Sequence, residues 1–521
     1  MSLEKLEEHY IADLHKNPEY QKNLKIKNSF IYFMDFSKFY FMGHILENLH
    51  DLEQAIPAEI TENPEVLGDA AKFKGRYGEQ NEPVFYAIRE VYSACEGQIL
   101  KYMENSGETT SIPLFRIQSW FLTHLAGREV SPEESGLPVK LLPRLNRLIQ
   151  KTIEAKKDEV TSYRRTISEY VSRIHLEQNK SQMAGIITNL LDLLAWLWEK
   201  QVSMRDLKPD NLLVAGDPSR YPGFLRSADE YSLGIIDVET AVDFERSKYK
   251  KTRQPLLGGT PLYATPSHFF LNEILGQAFN NFRKILHYQD WHAMVVMIFK
   301  VVTDDLLFQQ TARLFGYIKD KIRDSQEDST RQTEVIKEIS KTFWNSALKE
   351  FKEKMAEQED SLISVQVSIP ENVKTLFKKI LKHDRKSTIE KINACIEAQV
   401  AFRSQKSREL LRKSSHAKIV QFKKHLKNKF KSSPNSSVDA PAVLEFLDHL
   451  TQLKKYGDEQ RHTAALIGKT DVTMSAYDLL TFMFYAVYHT MFNEQWRNIC
   501  EDDVCVAEPL DDEATTLEAY P

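Results

Sequence analysis

Two stretches constrain this chain more than any other feature: Ser203–Val214, SMRDLKPDNLLV, and Leu233–Val242, LGIIDVETAV. Asp206 and Asn211 stand five residues apart across a proline-containing loop, with Lys208 between them. Asp237 follows 26 residues after Asn211, at the end of the apolar run LGII, which would present it at a strand end. Moving a phosphoryl group from ATP requires a carboxylate near the incoming hydroxyl, a cation on the moving phosphate and oxygen ligands for magnesium. Magnesium prefers hard oxygen donors, usually one or two carboxylates plus phosphate oxygens. Asp206, Lys208, Asn211 and Asp237 supply that set.

The rest of the composition permits such a site and excludes several alternatives. The 521 residues are 42% hydrophobic and 27% charged, an ordinary globular balance long enough for two to four domains. A net charge of −5 points to neither nucleic acid nor a membrane surface. Cys95, Cys395, Cys500 and Cys505 are too few for a disulfide framework and fit a reducing, cytoplasmic setting. The amino terminus MSLEKLEEHY lacks the pattern of a signal peptide. The most apolar runs, at 185–198, 293–302 and 479–492, are each shorter than the roughly 18–20 residues a membrane span needs. No zinc-ligand spacing, H-E-x-x-H, G-x-S-x-G or G-x-x-x-x-G-K-[ST] occurs.

The two stretches resemble the protein kinase family, whose catalytic loop reads H-R-D-x-K-x-x-N and whose metal loop reads D-F-G. The likeness extends along the chain. GGTPLYATPSHF (258–269) is similar to the end of a kinase activation segment, and YQDWHAMVVMIFKVVTDDLLF (288–308) to the helix that follows it. Upstream, EVLGDAAKFKGRYGEQNEPVFYAIREVYSACEGQIL (65–100) resembles a Gly-rich loop, two strands, the V-A-I-K strand and a helix. On that resemblance Gly68 is what remains of the Gly-rich loop. Arg89 stands where the family has its ATP-binding lysine, and Glu96 is its partner. Lys72 or Lys74 is an alternative source of that cation.

The resemblance implies an α+β, bilobal protein-kinase-like fold with a small β-containing N-lobe and a mainly helical C-lobe. Extra helical segments stand at the N-terminus, as an insertion and at the C-terminus. The expected divisions are a helical extension (1–60), an N-lobe with a helical insertion at about 139–178 (61–178) and a C-lobe (179–400). The last division, 401–521, holds a basic helix, a linker, a helical region and an acidic tail. Strands are expected at 71–77, 82–92 and 111–122 from their alternation and β-branched content. The segment 403–431 holds eleven Lys or Arg against Glu409 alone and reads as a solvated helix face, able to pair with the acidic residues after 500. The extra residues between Asn211 and Asp237 are turn-rich and read as a surface loop.

As the resemblance has it, Asp206 and Lys208 are catalytic, Asn211 and Asp237 bind magnesium, and Arg89, Glu96 and Gly68 bind ATP. Thr260 bridges to Asp206 and Lys208, and Asp290 supports the loop from behind. The implied substrate is a protein Ser or Thr hydroxyl, and the flanking helices offer a surface for a protein partner. Arg205 suggests control by phosphorylation on the activation segment, with Ser247, Tyr249 and Thr252 as candidates. Against this stand the departures: Met204 for histidine, Val238 and Glu239 after Asp237, Arg89 for lysine, and Ser267 in place of glutamate. They leave a second class open, a pseudokinase acting as a binding or scaffold protein, and a third, a small-molecule kinase.

Overall fold

The computed structural model describes residues 39–105, 112–137, 139–243, 257–279, 282–325, 329–432, 440–469 and 472–492. Two units divide the chain, Met1–Phe39 and Tyr40–Pro521, and every described helix lies in the second. Among the helices are α1 (Met42–Leu49), α2 (Ala70–Tyr77), α3 (Glu82–Asn105), α4 (Leu114–Leu125), α5 (Leu142–Ala155) and α6 (Lys157–Glu199). Further on come α7 (Phe282–Thr303), α8 (Ser329–Glu357), α9 (Glu371–Ala398), α10 (Gln405–Lys413), α11 (His416–Ser432), α12 (Ala440–Ile467) and α13 (Ala476–Met491). The strands are short: β1 (Phe39–Phe41), β2 (Val202–Ser203), β3 (Leu212–Gly216), β4 (Tyr231–Ile235), β5 (Val242–Asp243), β6 (Gln366–Ser368) and β7 (Thr473–Ser475).

The segments expected as strands between 71 and 122 are helices, and the reasons are local. The Asp69 carboxylate accepts hydrogen bonds from the Ala71 and Lys72 amides, capping α2 at its first turn. Phe73 and Tyr77, four residues apart, then fall on one buried face. In α3 the buried residues are Phe85, Ile88, Val91, Tyr92, Cys95, Ile99 and Met103, a spacing of three and four rather than two. Pro83 occupies the first turn of that helix, where its missing N–H costs nothing. The β-branched and aromatic content was real, but its period is helical.

These helices, with α4, α5 and the first half of α6, close around a core that includes Phe73, Phe85, Trp120, Phe121 and Tyr163. A second core holds α1, the second half of α6, the strands β3 and β4, α7, α8, α9 and α13. A third, smaller one joins the end of α9 to α10, α11 and α12 through Phe402, Phe422, Leu426 and Leu447. Helix α6 links the first two. At 43 residues it runs about 65 Å, burying Tyr163 and Ile167 in one core and Ile186 and Leu190 in the other. The insertion expected at 139–178 and the helix expected after it are thus partly one element.

The residues between β3 and β4 are exposed for most of their length, as a surface loop should be, but Phe224 and Leu225 anchor them, buried against α6. A Cβ at Gly185 of α6 would sit 2.1 Å from the Leu225 carbonyl oxygen, so only glycine permits this approach. β3 and β4 pair antiparallel with Leu212 opposite Ile235, and β1 lies on the other side of β3. β2 and β5 pair with Ser203 opposite Val242. The two ladders bracket residues 204–211 and 236–241 and bring both diagnostic stretches together.

Candidate active site

The loop after β2 begins with a conformation that side chains ordinarily avoid: Arg205 has φ 67°. Several buried groups hold it there. Asp290 of α7 accepts from the amides of Met204 (Oδ2, 2.9 Å) and Arg205 (Oδ1, 2.7 Å). His268 Nε2 donates to the Arg205 carbonyl (2.7 Å), while His268 Nδ1 accepts from the Thr265 amide (3.0 Å). The Arg205 guanidinium donates to Gln289 Oε1 (3.0 Å) and to the His268 carbonyl (3.1 Å), and Gln289 Nε2 donates to Ser267 Oγ (2.8 Å). Burial pushes Asp290 up to about 6, against the pull of its two amide donors. Burial, reinforced by the Arg205 charge, pulls His268 down to about 3, so that ring is neutral.

This network meets one expectation and revises another. Asp290 does support the loop, through both carboxylate oxygens. Arg205, however, is almost fully buried and its guanidinium is committed to Gln289 and His268, so it does not present itself to an activation-segment phosphate. Ser247, Tyr249 and Thr252 lie outside the described residues. Ser267, standing where the family has glutamate, replaces an ion pair by a hydrogen bond with Gln289.

Past Arg205 the chain presents Asp206. Its Oδ1 accepts from both the amide and the hydroxyl of Thr260 (3.1 Å each). Its Oδ2 lies 3.2 Å from Lys208 Nζ and accepts from Asn211 Nδ2 (3.3 Å). Lys208 Nζ also donates to Thr260 Oγ1 (3.3 Å), closing a triangle of acid, base and hydroxyl. Burial alone would raise the Asp206 pKa. The Thr260 amide and hydroxyl and the Lys208 charge outweigh it and hold the carboxyl below its usual value. Asp206 is therefore a carboxylate at neutral pH, fixed in direction.

Asn211 Nδ2 donates to the Asp206 carbonyl (2.9 Å), which commits the amide nitrogen and leaves the side-chain oxygen as a hard donor. The Asn211 carbonyl accepts from the Ile236 amide (3.0 Å), and Thr240 Oγ1 donates to the Met204 carbonyl (2.8 Å). Both ends of the turn 236–240 are thus tied to the loop that carries Asp206. Asp237, at φ 59°, stands exposed within that turn, as do Val238 and Glu239. Asn211 and Asp237 each carry a hard oxygen donor of the kind magnesium prefers. No cluster of three or more His, Cys, Asp or Glu that would hold a metal unaided occurs among the described residues.

Gly68, Arg89 and Glu96 are not brought to this loop. Gly68 ends the short helix Glu65–Gly68, and Arg89 and Glu96 lie on the single helix α3, in the other hydrophobic core. Seven residues of helix separate their Cα atoms by about 10 Å along the axis. Arg89 Nη1 donates to the Leu67 carbonyl (3.2 Å) and its guanidinium lies over the Tyr92 ring at 5.4 Å. Lys74 is engaged by Glu82 (3.2 Å) and Glu79 (3.4 Å), and Lys72 is exposed on α2. The expected strand pairing that would have aimed Arg89 at a nucleotide is replaced by helix packing.

Sequence reasoning missed the neutral His268, the Gln289 bridge and the placement of α1. A Cβ on Gly43 would lie 2.8 Å from Asp210 Oδ1, so α1 begins directly against the loop, and Tyr40 stacks on Tyr221 at 4.7 Å. The glycine directly after the aromatic run FYFM was the available signal. Gln289, immediately before Asp290 at the head of the mostly apolar run Trp291–Thr303, was another.

Residues 148–396 match the protein kinase domain family. That part of the chain belongs to the protein kinase superfamily and carries a protein kinase domain, the class to which the Asp206 loop and its partners correspond. Searches of curated proteins and of solved structures found no match. No helix among the described residues is long and apolar enough to cross a membrane.

Proposed function

We propose that the chain is a serine/threonine protein kinase, transferring the γ-phosphoryl group of ATP to a protein hydroxyl with magnesium. The observation that carries this reading is the clamp on Asp206, a depressed carboxylate oriented by Thr260, Lys208 and Asn211. Asp206 would align the incoming hydroxyl and accept its proton. Lys208, within reach of both Asp206 and Thr260, would balance charge on the transferred group. Asn211 and Asp237 would hold magnesium, which when bound neutralises charge on the phosphates. Lys208 two positions after Asp206, with Thr260 against both, supports Ser/Thr rather than Tyr as acceptor. Four cysteines in 521 residues, too few for a disulfide framework, support a cytoplasmic setting.

One observation favours a second reading, a pseudokinase that binds partners. Arg89 and Glu96 sit in a separate helical core, so neither supports ATP at the Asp206 loop. Incubation with magnesium and ATP, read as mass added to the intact protein and to a Ser/Thr-rich substrate, separates the two. Phosphate incorporation that falls by about 10²–10⁴ in Asp206→Asn establishes the kinase. No incorporation, together with no thermal shift by magnesium-ATP, establishes the scaffold.

A further inference from the structure

Helix α9 carries five exposed cations within nine residues, Lys378, Lys379, Lys382, Arg385 and Lys386. Four of them rim a groove of about 540 Å³ between α9 and the end of α12. Its floor is apolar, made by the buried Leu381 and Ile467 with Ala464, and Ile389 stands 57% exposed at one end. Glu390 is the one acid among the lining residues, and it is near Lys386 (3.9 Å). Lys382 and Arg385 form no ion pair among the described residues. A concave surface with an apolar floor and unneutralised cations on its rim asks for an occupant that is acidic and carries intermittent apolar side chains.

We propose that this occupant is the chain's own carboxy-terminal segment, residues 501–521. That sequence, EDDVCVAEPLDDEATTLEAYP, has eight Asp or Glu and no Lys or Arg, with Val504, Val506, Leu510 and Leu517 interspersed. The described fold ends nearby. Lys391 of α9, the residue after Glu390, donates to the His489 carbonyl (3.3 Å), three residues before Phe492. From there one helix diameter, about 10–12 Å, separates the chain from the groove face of α9. The eight residues between Phe492 and Glu501 span up to about 26 Å when extended, enough to make that turn. The groove itself is about 18 Å long, so a segment of six extended residues fills it.

The other basic surface, on α11, is a weaker seat for this segment. Lys424 and Lys427 are exposed there, but Ile419, Phe422 and Leu426 are all turned into the third core, leaving Val420 as the one exposed large apolar side chain described on that helix. A tail held on α9 by both charge and leucine side chains leaves α11 uncovered and makes the groove accessible to an acidic competitor only after displacement.

Carbodiimide coupling of the full chain, which joins lysines directly to carboxylates in contact with them, tests the proposal after peptide mapping. The expected products are links from Lys378, Lys382 or Lys386 to carboxylates in 501–513, within monomeric protein. They should be lost in Lys382→Glu/Arg385→Glu and weakened by 0.5 M salt, as screening over about 4 Å requires. Both positions are exposed, and an unchanged far-ultraviolet spectrum verifies folding. Links from the same carboxylates to Lys424 or Lys427 would instead seat the tail on α11 and overturn the proposal. Links confined to cross-linked dimers, or no links at all, would overturn it equally.

Discussion

The helical core around Trp120 and the much larger core around the Asp206 loop solve different problems. The first is sealed almost entirely by apolar and aromatic groups, with Phe73 against Tyr77 and Phe85, and Tyr92 against Phe121. The second is threaded by a buried polar chain running from Ser267 through Gln289 and Arg205 to His268 and Asp290. Apolar packing is non-directional and fixes helices to within the tolerance of their side chains. A buried hydrogen-bond chain is directional and costs desolvation unless every member is satisfied. It is found here where a backbone must be held at φ 67°, just before the residue whose carboxylate must point one way.

Acid should separate the two cores most widely. The core around the Asp206 loop buries His268, His287 and His292, with pKa values pulled down to about 3, 4 and 3 by burial. In the unfolded chain they take up protons near 6.5. Each therefore contributes stability that is present above pH 6.5 and is lost as pH falls toward its folded value. The helical core buries only His124 among the described residues. Hydrogen exchange measured from pH 7 to 4.5 should show α7 losing protection by roughly 1–2 kcal/mol per histidine while α3 and α4 change far less. Equal loss in both would contradict the comparison.

Point substitutions should split in the same way. Phe121→Ala should cost about 3–5 kcal/mol of helical-core stability, read by exchange in α3 and α4. Protection around Asp206 should hold. Asp290→Ala should cost about 3 kcal/mol in the core around the Asp206 loop, since it strands two buried amides, and should abolish the proposed phosphoryl transfer by releasing the loop. Arg89→Ala removes one hydrogen bond and one cation–π contact on a half-buried side chain. About 1 kcal/mol of helical-core stability is the expected loss, with no effect on phosphoryl transfer.

The contrast also explains what was legible in the sequence. The convergence of Asp206, Lys208, Asn211, Thr260 and Asp290 on one loop was legible because a recurrent motif restricts residue type and spacing together. Residues 71–122 were misread because AKFKGRY alternates over a few residues while its Phe and Tyr are also four apart, and short segments satisfy both periods. The Asp69 cap and the absence of a turn signal between Glu82 and Asn105 favoured helix. Assigning YAIR to a strand followed the family pattern in preference to that local chemistry. His268 and Gln289 were invisible because their role depends on burial, which a lone sequence does not reveal.

The measurement that tests the account most directly is phosphate incorporation with magnesium and ATP by three proteins side by side: the unaltered chain, Asp237→Asn and Arg89→Ala. The account predicts incorporation by the unaltered chain, a loss of at least about 100-fold in Asp237→Asn, and no change in Arg89→Ala. Loss in Arg89→Ala with Asp237→Asn unaffected would contradict it, and would place the phosphate-handling groups in the helical core.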